Sequence, residues 1–218
     1  MNILVKGFLM LTMVTQTMVH AVNREIEIKF KLTDVKLAEF KQWLAHHAAY
    51  EGRQEQAEVY VDNPKQTFFF MSPKGYKDAL HALRVRRTDQ GDWVCFKYSN
   101  IDASGKILSK SECESKVDDS KAMLELFEKL GYTDKIDVKK VRNIYRYKDI
   151  EIVIDDVEKL GTFLEVELKR TCANDAEGIA YLQQFLKSVG ITSFTQFDRS
   201  YIHMHLNPGY NFGRLVNL

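Results

Sequence analysis

From Glu25 to Leu32 charge and apolarity alternate without exception: Glu25, Glu27, Lys29 and Lys31 are interleaved with Ile26, Ile28, Phe30 and Leu32. Side chains of a β-strand point to opposite faces in turn, so this segment as a strand has one wholly ionic face and one wholly apolar face. Two acids followed by two bases on one line differ from the small polar residues that a solvated strand face carries. Two readings stand from this segment alone: an exposed sheet stitched by cross-strand ion pairs, or the lining of an anion and metal site.

The pattern recurs along the chain. Leu83-Arg84-Val85-Arg86 puts two guanidinium groups on one face, and Trp93 to Lys97 follows Asp89-Gln90-Gly91-Asp92, which predicts a hairpin turn between neighbouring strands. Glu112 and Glu114 flank Cys113, Glu165 and Glu167 flank Val166, and in each pair the acids share a strand face. Lys140 and Arg142 repeat the spacing with bases, while in Ile150 to Asp155 the isoleucines take one side and Glu151 and Asp155 the other. So many strands would expose an improbable charge density unless their ionic faces converge on a ligand.

Packing Glu25, Glu27, Glu112, Glu114, Asp155, Glu165 and Glu167 together costs several kcal/mol in repulsion, or raises some pKa values, unless cations neutralise them. Hard oxygen ligands without a His or Cys cluster favour Mg²⁺ or Mn²⁺ over Zn²⁺, and Mg²⁺ typically combines a few carboxylates with substrate phosphates. Lys29, Lys31, Arg84, Arg86, Lys97, Lys140 and Arg142 supply the other half: bidentate recognition of phosphate oxygens by Arg, point charge from Lys. Acid, metal and base together describe a polyphosphate site. A formal charge of +1 over 218 residues shows no global basic excess, so a nucleic acid is not expected; the expected partner is a small polyphosphate-bearing molecule, and no membrane is expected. The pattern sets no oligomeric state.

Glu25-x-Glu27-x-Lys29 resembles the ExExK signature of the CYTH superfamily, the triphosphate tunnel metalloenzymes that include class IV adenylyl cyclases and thiamine triphosphatases. Leu83-Arg84-Val85-Arg86 is similar to the family's LRxR strand, Phe96-Lys97 to its following Lys, and Glu112-x-Glu114 to its central pair of acids. Lys140-x-Arg142, Asp155 and Leu160 to Glu167 resemble its closing stretch, so the likeness runs from about Asn23 to Leu206.

The resemblance implies an α+β fold: a closed antiparallel β-tunnel of about eight strands with an ionic lumen, covered outside by helices. In either reaction it implies a metal held by acids such as Glu25, Glu27, Glu165 and Glu167, with Arg84, Arg86, Lys97 and Arg142 spreading the charge of the transition state. Attack by water makes the enzyme a triphosphatase on tripolyphosphate, thiamine triphosphate or a nucleoside triphosphate. Attack by a ribose 3′-hydroxyl on the α-phosphorus gives cyclic AMP and pyrophosphate. Phe194 to Leu206, with Ser200-Tyr201, resembles the terminal strand of class IV adenylyl cyclase-like members, and tilts the expectation toward that branch. A third reading is a non-catalytic polyphosphate or nucleotide binder, which the full set of metal-type acids disfavours.

Three covering helices are expected. Thr33 or Asp34 begins one carrying Leu37, Phe40, Trp43 and Leu44; Ser120 begins one ending at Gly131; Asn174 or Asp175 begins one with Ile179, Leu182, Phe185 and Leu186 before Gly190. Phe68 to Met71 reads as a short strand or a lid over one mouth, and His203 and His205 as alternating positions of a terminal strand. The three cysteines are expected as free thiols, Cys95 lining the site and Cys113 in the core. Residues 1–21 have the outline of a signal peptide, diluted by Thr12, Thr15, Gln16 and Thr17, whereas a start at Met18 would put the first strand almost at the terminus. The expectation is a cytoplasmic protein with a misassigned start or loose extension over 1–21, one CYTH domain over 22–206 and a tail over 207–218.

Overall fold

The computed structural model describes residues 26–79, 81–101 and 107–218, so Glu25 and the expected extension lie outside the described residues. The strands are β1 (Glu27–Lys31), β2 (Ala49–Asp62), β3 (Phe69–Met71), β4 (Lys77–Ala79), β5 (His81–Thr88), β6 (Gly91–Ile101), β7 (Ile107–Val117), β8 (Asp134–Tyr147), β9 (Ile150–Val157), β10 (Gly161–Leu168), β11 (Ser193–Phe197) and β12 (Gly213–Asn217). The helices are α1 (Asp34–His47), α2 (Ser120–Lys129), α3 (Asp175–Ser188) and α4 (Tyr201–Leu206).

Ten strands form one antiparallel sheet in the order β12-β11-β1-β10-β9-β8-β2-β5-β6-β7, and β3 and β4 form a separate hairpin. This corrects the expectation of about eight strands closed by pairing. Thr195 and Gln196 of β11 pair with Lys31 and Phe30, so another strand takes up part of the β1 edge that ring closure would use. Residues 213–217, within the expected tail, extend the sheet further by pairing with β11. The ionic face is nevertheless covered: Asp155 on it is 0% exposed and Glu58 2%.

The apolar face of β1, β9 and β10 buries Ile28, Phe30, Ile152, Ile154, Leu164 and Val166 against Phe40 and Leu44 of α1 and Leu182 and Leu186 of α3. Fully burying one such side chain is worth about 1.5–3 kcal/mol, so this layer anchors the strands that carry the charges. Thr33 caps α1 and Asn174 caps α3, each side chain accepting a backbone N–H of the first turn. For α2 the cap is Asp119 rather than Ser120, its carboxylate accepting from Lys121 N at 2.9 Å and Ala122 N at 3.0 Å. Two N–H donors and the positive end of the helix favour the charged group.

The expected terminal strand around Tyr201 to Leu206 is instead α4, with Tyr201, Ile202, His203 and Met204 all buried. An element enclosed on every side shows no in-out alternation, so its sequence carried no signal separating helix from strand. With Tyr60, Val138, Val157 and Phe163, which share strand faces with Glu58, Lys140, Asp155 and Glu165, α4 forms a second apolar cluster on the ionic side of the sheet. The ionic side of the sheet is therefore not purely ionic. The three cysteines are free, but Cys113 is exposed rather than in the core, because it lies on the outer side of an edge strand. Among the described residues, no helix is long and apolar enough to cross a membrane.

Candidate active site

Antiparallel register sets which charge meets which. Gly161, at φ 83°, makes the turn between β9 and β10, and the register that follows pairs Phe163 with Asp155 and Glu167 with Glu151. Glycine adopts this left-handed conformation without the Cβ clash of other residues. Across the next ladders Lys29 stands opposite Glu165, and Arg142 opposite Asp155.

One group forms where β1, β10, β9 and β8 run side by side. Arg142 grips Asp155 with two bonds, Nε at 2.7 Å and Nη2 at 2.6 Å, and Nη2 reaches Glu165 at 3.0 Å. Lys29 Nζ lies 2.9 Å from Glu165, and Lys140 Nζ 3.6 Å from Asp155. Tyr201 enters from α4, its hydroxyl donating to Asp155 at 2.9 Å and Glu165 at 3.3 Å. Lys29 and Lys140 flank its ring at 4.6 and 5.1 Å.

A second group forms on β5, β6 and β7. Arg84 reaches Glu112 at 3.5 Å, Lys97 reaches the same carboxylate at 3.0 Å, and Arg86 pairs with Glu114. Cys95 points its thiol at Glu114. Burial pushes that thiol up to about 11, so it stays protonated and donates.

Glu58 on β2 joins the two groups. Its carboxylate lies 3.2 Å from Arg84 and 3.9 Å from Lys140, and it accepts from the Tyr60 hydroxyl at 3.0 Å. Neither Glu58 nor Tyr201 was a candidate site residue on sequence grounds. A signal existed for Glu58, which shares a strand face with Tyr60 and Asp62 in the alternating stretch Glu58 to Asp62.

Burial desolvates these ions, and the partners decide the outcome. Burial lowers the Lys29 ammonium, yet Glu165 and Glu27 outweigh it and raise the pKa. Burial and Arg142 leave Lys140 lowered. Burial raises the Tyr201 hydroxyl, which Glu165 and Asp155 raise further, keeping it a donor. For Glu58, burial pushes upward, but Arg84 and Lys140 hold the carboxyl down at about 2, against an ordinary 4.5. A carboxyl depressed by folding contributes stability that is complete above pH 4.5 and lost as pH falls toward 2. The shift corresponds to on the order of 3 kcal/mol. Glu58→Gln is expected to be less stable at neutral pH and to lose less stability over that acid window, measured by urea unfolding at a series of pH values. An equal slope in both proteins would refute the assignment.

The remaining sequence candidates lie elsewhere. Glu27, Glu167 and Glu151 form a row across β1, β10 and β9, where Lys169 reaches Glu167 at 2.6 Å and Glu151 at 3.2 Å. Lys31 lies apart from both ionic groups, over the Phe163 ring, with its Nζ donating to the Leu160 carbonyl at 2.6 Å. Among the described residues, the one cluster of at least three potential metal ligands within 4.8 Å of one another is Cys95, Glu112 and Glu114. With the thiol protonated, the donors offered are two hard carboxylates, a set that fits Mg²⁺ or Mn²⁺ completed by phosphate oxygens.

Comparison with known proteins gives this geometry a context. The CYTH domain family model matches residues 23–201. A Methanocaldococcus jannaschii protein named as a candidate adenylate cyclase is 31% identical over 182 residues, covering 83% of this chain and 97% of that protein. The structure of a Pyrococcus horikoshii protein superposes with a TM-score of 0.62 at 26% identity, over 84% of this chain and 98% of its own. A Hippeastrum protein, named as a candidate adenylyl cyclase and described as having a dominant triphosphatase activity, superposes with a TM-score of 0.56 at 19% identity. That likeness covers 83% of this chain and 94% of the Hippeastrum protein, and at this identity it speaks for the fold alone.

Proposed function

The chain belongs to the CYTH domain family, and on that premise we propose that it is a metal-dependent, class IV adenylyl cyclase-like enzyme acting on ATP in the cytoplasm. The observation that carries the reading is the pairing of Lys29, Lys140 and Arg142 with Asp155 and Glu165, continued through Glu58 to Arg84, Arg86 and Lys97. The first of these groups alone sets three cations against two carboxylates. A triphosphate laid along it replaces carboxylate partners with phosphoryl oxygens, which Arg142 and Arg84 can grip in pairs.

Glu112 and Glu114 would hold Mg²⁺ or Mn²⁺, which would supply neutralising charge to the phosphoryl oxygens. The protein's own groups do the rest by electrostatics and placement. Arg84, Arg142 and Lys29 hold the chain in line, and the Tyr201 hydroxyl keeps Asp155 and Glu165 oriented toward the cations. In the cyclase reaction the 3′-hydroxyl gives up its proton to water and its oxygen bonds to the α-phosphorus as the bond to the bridging oxygen breaks and pyrophosphate leaves.

Hydrolysis is the second reading, favoured because the contacts of the two ionic groups suit phosphate without regard to what it carries. Phosphorus NMR with Mn²⁺ and either ATP or tripolyphosphate separates them. The expected result is cyclic AMP with pyrophosphate from ATP. Orthophosphate from tripolyphosphate, with no cyclic nucleotide from ATP, would make the protein a triphosphatase.

A further inference from the structure

Lys31 is the cation of β1 that the two ionic groups do not absorb. Its Nζ lies 4.1 Å from the centre of the Phe163 ring and 5.9 Å from that of Phe197, and among the described residues no carboxylate pairs with it. An ammonium has three N–H donors, and the Leu160 carbonyl takes one. Lys31 stands at the wall of a cleft of about 430 Å³ lined by Phe163, Phe197, Met204, His205, Tyr210 and Phe212. Sites for small ligands run from roughly 300 to 1,000 Å³.

The cleft is built rather than collapsed. Tyr210 and Phe212 lie ring to ring at 4.7 Å, and both rest on Tyr76 at 4.9 and 5.0 Å, so their orientations are fixed from behind. Tyr210 is nevertheless 40% exposed, an aromatic surface that its own neighbours leave open. One lining side chain, His205, has a ring nitrogen, Nε2, that is buried without a hydrogen-bond partner. An orphaned polar atom of this kind calls for a ligand or water to meet it. Phe163 is the shared wall with the ionic face: its ring stands 5.1 Å from that of Tyr201, which bonds Asp155 and Glu165.

From this geometry we infer that the cleft binds an aromatic heterocycle bearing phosphate, a nucleotide in chemical class. Phe212 and Tyr210 offer the stacking surface, Lys31 holds the phosphate, and a turn of the His205 ring brings its unpartnered Nε2 to a heteroatom of the base. An inorganic polyphosphate has no use for the aromatic walls, and a neutral apolar ring leaves the Lys31 charge unanswered. The inference rests on the triphosphate reading above for its phosphate chemistry. The nucleotide has two sources: the substrate's own base, with its triphosphate on the ionic face, or a second, separate nucleotide.

Calorimetric titration of the full chain with AMP, ATP and tripolyphosphate tests this. AMP is expected to bind, and to bind at least tenfold more weakly to Lys31→Gln and to Phe212→Ala. Tripolyphosphate affinity for Phe212→Ala should stay at the wild-type value, which also shows that the variant is folded. If the base belongs to the substrate, Phe212→Ala weakens ATP and tripolyphosphate displaces ATP. If the nucleotide is separate, ATP and tripolyphosphate bind together. AMP that fails to bind at millimolar concentration, or binds both variants as it does wild type, overturns the inference. Absence of turnover with AMP binding intact would instead overturn the enzyme reading and leave the cleft standing.

Discussion

Arg142→Ala is expected to cost about 3–5 kcal/mol of folding stability, because it strands a buried charge. Asp155 is 0% exposed and takes two short bonds from this guanidinium. What remains after truncation is the Tyr201 hydroxyl at 2.9 Å and Lys140 at 3.6 Å, an ammonium whose own charge burial disfavours. For a chain of this size each kcal/mol moves the melting temperature by about 2–4 °C, so thermal unfolding should fall by roughly 6–20 °C. Breaking one half of a buried pair and replacing both halves differ in sign of consequence. Arg142→Met combined with Asp155→Leu removes both charges and should regain most of the loss. A double variant as unstable as the sum of the two single ones would show that the pair is not coupled and that Asp155 is not the charge stranded by the truncation.

The ionic faces were legible because alternation is a local property. Glu27 with Lys29, Arg84 with Arg86 and Glu165 with Glu167 each declare a strand face within three residues. The capped helices were legible for the same reason, the starts of α1 and α3 to within two residues, of which Thr33 and Asn174 are the caps. Register is not local. That Arg142 meets Asp155 while Glu167 meets Glu151 depends on where the turn at Gly161 places β10 against β9, and on the matching ladder from β9 to β8. Thus the resemblance pointed to Glu25, Glu27, Glu165 and Glu167 for the metal, whereas in the fold Glu165 is held by Lys29 and Arg142, and the cluster of potential ligands among the described residues is Glu112 and Glu114 with Cys95.

Tyr201 and Glu58 were missed for different reasons. Tyr201 reaches the site from an element whose burial on every side removes the amphipathic signal. Glu58 sits in a strand that carries valines on its other face, and on its own face Tyr60 separates it from Asp62, so no pair of acids at adjacent positions of one face marked it. The edges of the sheet were equally hidden. Whether β11 lies beside β1 is decided by contacts between residues more than 150 positions apart, such as Phe30 with Gln196.

The largest effect on function is expected from Glu112→Gln with Glu114→Gln. The two carboxylates each hold a cation of the second group, Lys97 on Glu112 and Arg86 on Glu114, and both belong to the ligand cluster. Converting them to amides keeps their size and removes two negative charges, with opposite consequences for the two things the site must bind. Mn²⁺ affinity, measured by calorimetry or by electron paramagnetic resonance of the free ion, should fall by 100-fold or more, and metal-dependent turnover by about 10²–10³, the equivalent of the several kcal/mol a bound metal supplies. Tripolyphosphate binding in EDTA should hold or tighten, because Arg84, Arg86 and Lys97 then have no competing carboxylates. That divergence separates a metal site from an anion site that happens to be lined with acids. If the amide variant loses tripolyphosphate affinity in EDTA, the carboxylates serve to arrange the cations, and the metal belongs with another set of acids. If both affinities and turnover are unchanged, neither glutamate is a ligand, and the row of Glu27, Glu167 and Glu151 becomes the place to look.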